Sequence, residues 1–107
     1  MRGLVRRQGR LVAQRECDVV QSLQQALTRE VVELVNKRLR LVAQLKHYKE
    51  EHGIGFVDLA REQWMLQYLQ RANRGPLSEA GLAELYHELL DLMKREVVAQ
   101  EAAASQG

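Results

Sequence analysis

Only one proline and five aromatic residues occur among the 107 residues, and there is a single cysteine, Cys17. One cysteine excludes an intrachain disulfide and fits a reducing compartment. No apolar run reaches the roughly 20 residues needed to span a bilayer. The arginines near the N-terminus have no apolar stretch behind them, so they do not read as a secretory signal. A cytoplasmic location is the default expectation, with no membrane partner. Glycine-rich phosphate loops, internal repeats and β-alternating segments are missing as well. His47, His52 and His87 do not have metal-ligand spacing and read as surface residues. Cys17 has no histidine near it in sequence, which argues against a catalytic thiol.

Leu, Val, Ala, Gln, Glu and Arg are abundant, and this composition favours an all-α protein. The length points to one domain with a modest core, for which sharing a core between two chains is a natural remedy. The net charge of +2 is unevenly spread. Arg2, Arg6, Arg7, Arg10 and Arg15 stand in a stretch without acids, so the rest of the chain carries −3. Residues 1–15 therefore read as a basic arm, 16–101 as a helical domain and 102–107 as a tail expected to fray. The arm is either a solvated extension or a contact for nucleic acid or an acidic partner. It has no interleaved aromatics and no recognised reader motif, so nucleic acid is the weaker expectation.

Three helices are expected, in the order long, short, medium. The first runs from near Cys17 to about Glu51, and the arm could extend it upstream. Val20, Leu27, Val31, Leu34, Leu41, Leu45 and Tyr48 recur at three- and four-residue steps, the seam of a packed helix. Some 35 residues of helix extend about 50 Å, longer than a compact monomer of this size needs, so a partner chain is expected along it. Gly53 and Gly55 can end this helix. Asp58 can cap a second, from Leu59 to about Asn73. Gly75-Pro76 breaks the chain again, and Ser78 can cap a third helix running to about Gln100.

Arg38 and Gln24 are the two polar residues in the apolar seam. A cation in a packing seam needs an anionic partner, because burying it alone costs several kcal/mol. Eleven residues make three helical turns with about 20° left over, so Lys49 projects from the same face as Arg38. With the residues across the glycine break they read R-x10-K-x8-D-x2-R-E: Arg38, Lys49, Asp58, Arg61 and Glu62. Singly, each has an ordinary explanation as a cap, a surface pair or a solvated lysine. Together they form a candidate anion site.

This motif and the long–short–medium helix order resemble the all-helical (type II) chorismate mutases over about residues 18–97. The resemblance implies an intertwined homodimer whose active sites each draw on both chains. It also implies an isomerase without cofactor or metal, converting chorismate to prephenate on the shikimate path to phenylalanine and tyrosine or on a specialised branch. Chorismate is a dianion that rearranges by a concerted [3,3] shift. The enzyme has to hold a near-attack conformer and stabilise charge growing on the breaking ether oxygen. Carried over by motif, Arg38 would clamp a substrate carboxylate and Lys49 would donate to the ether oxygen and a carboxylate. Asp58 and Glu62 would hold the ring hydroxyl, with Arg61 supporting them.

Two positions depart from the family pattern. Where the family has an arginine reaching into the partner's site, this chain has Gln21, with no arginine within a turn of it. A charged hydrogen bond contributes roughly 1.5–3 kcal/mol against about 1 for a neutral one, so binding should weaken. On the third helix, aligning Leu85-Tyr86 with the family's apolar-aromatic pair places Met93 and Val97 where a small polar residue and a Gln or Glu are usual. A slip of one residue would bring Glu96 to the second position, and Gln100 lies one turn beyond Val97. A carboxylate there would donate only when protonated, shifting activity to low pH. Four readings stay open: a chorismate mutase, a relative acting on isochorismate or an amino-substituted chorismate, a non-catalytic or regulatory dimer, and, as the weakest, a nucleic-acid-binding coiled coil that uses the arginine arm.

Overall fold

A computed structural model describes residues 2–106, with side chains from residue 9 onward. The side chains of Arg2, Arg6 and Arg7 in the basic arm, and Gly107 in the tail, lie outside the described residues; Arg10 and Arg15 are exposed. The described chain is all-helical: α1 (Arg2–Glu51), α2 (Leu59–Ala72) and α3 (Glu79–Gln106). Two elements are longer than expected. α1 begins fifteen residues before Cys17, because Leu, Arg, Gln and Ala between them favour helix and no proline interrupts them. α3 continues through Ala102, Ala103 and Ala104, the best helix formers, so the expected tail is helical here.

The connections follow from local chemistry. Gly53 takes φ +66°, the left-handed conformation that closes a helix, while Ile54 N–H donates to the Lys49 carbonyl at 2.8 Å. Gly55 does not adopt a positive φ; one left-handed residue suffices to end α1. Asp58 is extended at φ −124°, and its carboxylate accepts from the Arg61 N–H at 3.0 Å, capping α2. Gly75 makes the second left-handed turn at φ +75°. Ser78 Oγ accepts from the Gly81 N–H at 3.0 Å and caps α3.

The chain divides into two compact units, residues 1–37 and 38–107. In the first unit every described residue from 9 to 34 is exposed, and only Val35 is half-buried. Val20, Leu27, Val31 and Leu34 of the expected seam are each about 60% exposed. An amphipathic helix with no covered face has nothing tertiary to hold it, since most helical stability in proteins comes from packing.

The second unit holds the core. Leu82, Tyr86, Met93 and Val97, spaced by four, seven and four residues, lie on one face of α3 and are buried. α2 packs on α3, with Met65, Leu66 and Leu69 half-buried. At the end of α1, the Lys46 ammonium donates to both Glu101 carboxylate oxygens (2.6 and 2.8 Å) and to Glu50 (2.8 Å). Lys46 is only 14% exposed at its side chain, and the Phe56 ring lies 5.8 Å from the ammonium.

The hydrogen bonds to Glu101 and then Glu50 raise the Lys46 pKa above its ordinary 10.5, against an opposing desolvation effect. Burial likewise pushes the Tyr86 phenol above 10.0. For both groups the folded-state pKa exceeds the unfolded one. Their stabilisation is therefore complete below the ordinary values and is lost as pH rises through the folded-state values. Thermal melts should show stability declining once pH passes about 10. Lys46→Met should remove the Lys46 part of that decline, leaving a shallower alkaline limb.

Candidate active site

The second unit forms a cavity of about 250 Å³ that is open to solvent on one side, and all five motif residues line it. Arg38 and Lys49 come from α1, Asp58 from the head of α2, and Arg61 and Glu62 from its first turn. Val42, Leu45, Phe56, Val57, Met65 and Leu90 supply the apolar wall. Charged groups set in an apolar wall are the usual composition of a small-molecule site, where few polar groups fix orientation.

The side chains are held by different means. Arg38 is half-buried, and its Nη1 is fully shielded from solvent with no hydrogen-bond partner. A shielded guanidinium nitrogen without an acceptor is an anion site in waiting, because satisfying it recovers the desolvation cost. Lys49 is also half-buried, and its ammonium donates to the Phe56 carbonyl at 3.3 Å, tethering the 52–58 connection to α1. Asp58 spends one carboxylate oxygen on the helix cap. Arg61 lies over the Trp64 ring at 5.0 Å, a cation–π contact that limits its swing. Glu62, 22% exposed at its side chain, faces the Lys94 ammonium at 3.3 Å.

Residues 24–98 match the family model described as Chorismate mutase type II. The chain belongs to the chorismate mutase type II family. No curated protein and no solved structure matches it. The family match begins three residues after Gln21 and includes the whole R-x10-K-x8-D-x2-R-E motif.

On α3, the candidate residues lie in different surroundings. Met93 is buried in the core and also lines the cavity, with Lys94 beside it. Val97 is 2% exposed, belongs to the core and does not line the cavity, and Glu96 and Gln100 are exposed. Gln21 is an exposed residue of the first unit and is not part of the lining. Two polar lining residues had not been singled out, Tyr86 and Lys94. Their signal was present: Tyr86, Leu90 and Lys94 recur every four residues and so share a face. Burial raises the Tyr86 pKa most, Arg38 lowers it, Glu62 raises it and Arg61 lowers it, so the phenol is neutral at physiological pH.

Among the described residues no three His, Cys, Asp or Glu form a metal-binding group, and no helix is long and apolar enough to cross a membrane. His47 pairs with Glu51 at 2.9 Å, and His52 stacks on Tyr48, both at the exposed end of α1. Cys17 is exposed.

An unpartnered donor in a packing seam costs stability when no ligand is bound. Arg38→Met replaces it with an apolar side chain of similar reach. In urea titrations without ligand, the variant should be more stable than the parent by about 1–3 kcal/mol. A loss of stability instead would mean that Nη1 is satisfied in solution.

Proposed function

We propose that this chain is an isomerase converting chorismate to prephenate in the charged cavity of its second unit, without a cofactor, as an intertwined homodimer. One observation carries the reading. In a chain of this family, Arg38, Lys49, Asp58, Arg61 and Glu62 converge on one cavity, where Arg38 Nη1 is buried and unpartnered.

A pericyclic rearrangement needs neither a nucleophile nor a proton-transfer catalyst; it needs a fixed substrate and a prepared electrostatic environment. The guanidinium of Arg38 takes a carboxylate in its fork, which anchors one end of the dianion. Lys49, released from the Phe56 carbonyl, donates to the ether oxygen as negative charge grows there, so its interaction strengthens toward the transition state. Glu62 or the free oxygen of Asp58 accepts the single hydrogen bond of the ring hydroxyl, and Arg61 offsets their charge. The apolar wall of Val42, Leu45 and Leu90 excludes water and strengthens each of these contacts.

The homodimer rests on the uncovered seam. Val20, Leu23, Leu27, Val31, Leu34 and Leu41 are each 58–64% exposed. Burying the remainder of these six in both chains contributes on the order of 10–20 kcal/mol. Association costs roughly 4–15 kcal/mol, so burial of this seam is of the magnitude that a dimer needs. In that dimer Gln21 meets the partner's site, residues 16–101 are the working domain and 1–15 form an appended arm. A sibling reaction on isochorismate or an amino-substituted chorismate uses the same anion contacts; release of pyruvate, read by mass spectrometry, marks the lyase form.

Purified protein should consume chorismate, followed by loss of absorbance, while sedimenting as a dimer. Arg38→Ala should lower turnover by roughly 10²–10³-fold or more with the dimer intact. Full turnover in that variant would remove Arg38 from the site.

Gln21→Arg exchanges a neutral hydrogen bond for a charged one and should lower KM by about fivefold, from a gain of about 1 kcal/mol. An unchanged KM would show that position 21 points to solvent in the dimer.

A further inference from the structure

We propose that Lys94 is a substrate-binding residue: it supplies, from α3, the cation that meets the second carboxylate of the dianion. The inference rests on the reading of the cavity as a dianion site, and it concerns a residue outside the R-x10-K-x8-D-x2-R-E motif.

Charge balance is the first ground. The motif residues bring three cations, Arg38, Lys49 and Arg61, and two carboxylates, Asp58 and Glu62, to the cavity. That leaves one net positive charge facing a ligand with two negative ones. Lys94 raises the balance to two, which matches a dianion. Among the lining residues it is the charged one contributed by α3.

Position is the second. The other cations stand on α1 and on the first turn of α2, so without Lys94 the α3 wall offers Tyr86 as its polar group beside Leu90 and Met93. Two carboxylates on one small ligand point in different directions and need cations on more than one wall. Lys94 follows the buried Met93 and lies one turn beyond Leu90, which fixes its stem against the cavity while 37% of the side chain stays exposed.

Spare capacity is the third. An ammonium has three donors. Among the described residues, Glu62 is the single carboxylate in contact with it, at 3.3 Å, which leaves donors for a ligand. Glu62 has a role of its own at the ring hydroxyl, so the pair holds both groups at the cavity edge before substrate arrives. Arg38 Nη1, buried and without a hydrogen-bond partner, is a second donor in the same lining that an anion would satisfy.

The competing account is that Lys94 serves only to position Glu62. A double-mutant cycle separates the two, because it isolates the coupling of neighbouring groups. Calorimetry would measure binding of a bicyclic dicarboxylate that mimics the chair-like transition state to the full-length protein. The variants are Lys94→Met, Lys94→Gln and Glu62→Gln, and Lys94→Met combined with Glu62→Gln. Thermal melts and sedimentation confirm that each is folded; Lys94→Gln, which keeps the polar reach, stands in should the methionine variant fail to fold.

We expect either Lys94 substitution to weaken binding by roughly tenfold to a hundredfold, the range of a lost charged hydrogen bond. The loss should persist when Glu62 is already Gln. Equal affinity in parent and both Lys94 variants overturns the inference while leaving the dianion site standing. A loss that vanishes in the Glu62→Gln background also overturns it, making Lys94 a positioning residue. A parent that neither binds the dicarboxylate nor consumes chorismate overturns the dianion reading itself, and this inference with it.

Discussion

A guanidinium nitrogen buried without an acceptor is the constraint on which the site depends. Arg38 stands where the heptad-like pattern of α1 would place an apolar residue, and its Nη1 is shielded from solvent. Such an arrangement is costly in the empty protein and favourable once an anion arrives. The other motif side chains are each anchored by a contact with neighbouring chain: Lys49 by the Phe56 carbonyl, Arg61 by the Trp64 face, Asp58 by the α2 N-terminus and Glu62 by Lys94. Stability is thus given up at one nitrogen and recovered around it. This is a familiar pattern for a preorganised electrostatic site.

The same side chains build the fold and line the cavity. Asp58 ends the connection and starts α2, and so delivers Arg61 and Glu62 to the cavity one turn later. Met93 belongs both to the buried face of α3 and to the cavity wall. Sharing residues in this way economises on a small core, but it leaves little else to hold the chain. The exposed seam of the first unit is the counterpart of that economy. In the proposed homodimer, a second chain of the same sequence would cover the apolar area that one chain leaves exposed.

Much of the architecture was legible from the residues because its causes are local. Gly53, Asp58, Gly75 and Ser78 act within four residues of themselves, and each stands at a break or cap in the structure. Gly55 was a plausible second terminator, but a helix needs only one left-handed residue to end. The start of α1 was less legible, since nothing in a run of good helix formers marks where a helix begins. The motif itself was legible because Arg38 and Lys49 share one helix and the next three residues follow a single short connection.

What the sequence by itself determined is the set of three helices, their caps and the alignment of the five motif residues, all governed by backbone periodicity and neighbours. Only the tertiary structure decided which face of α3 closes the cavity. Alignment on Leu85-Tyr86 favoured Met93 and Val97, with Glu96 reached by a one-residue slip and Gln100 one turn further, and Lys94 was not among them. In the fold Val97 is buried, Glu96 and Gln100 lie in solvent, and Lys94 meets Glu62 of α2. A 3.6-residue period says which residues share a face, but which face meets another helix is set by how side chains fit across the gap.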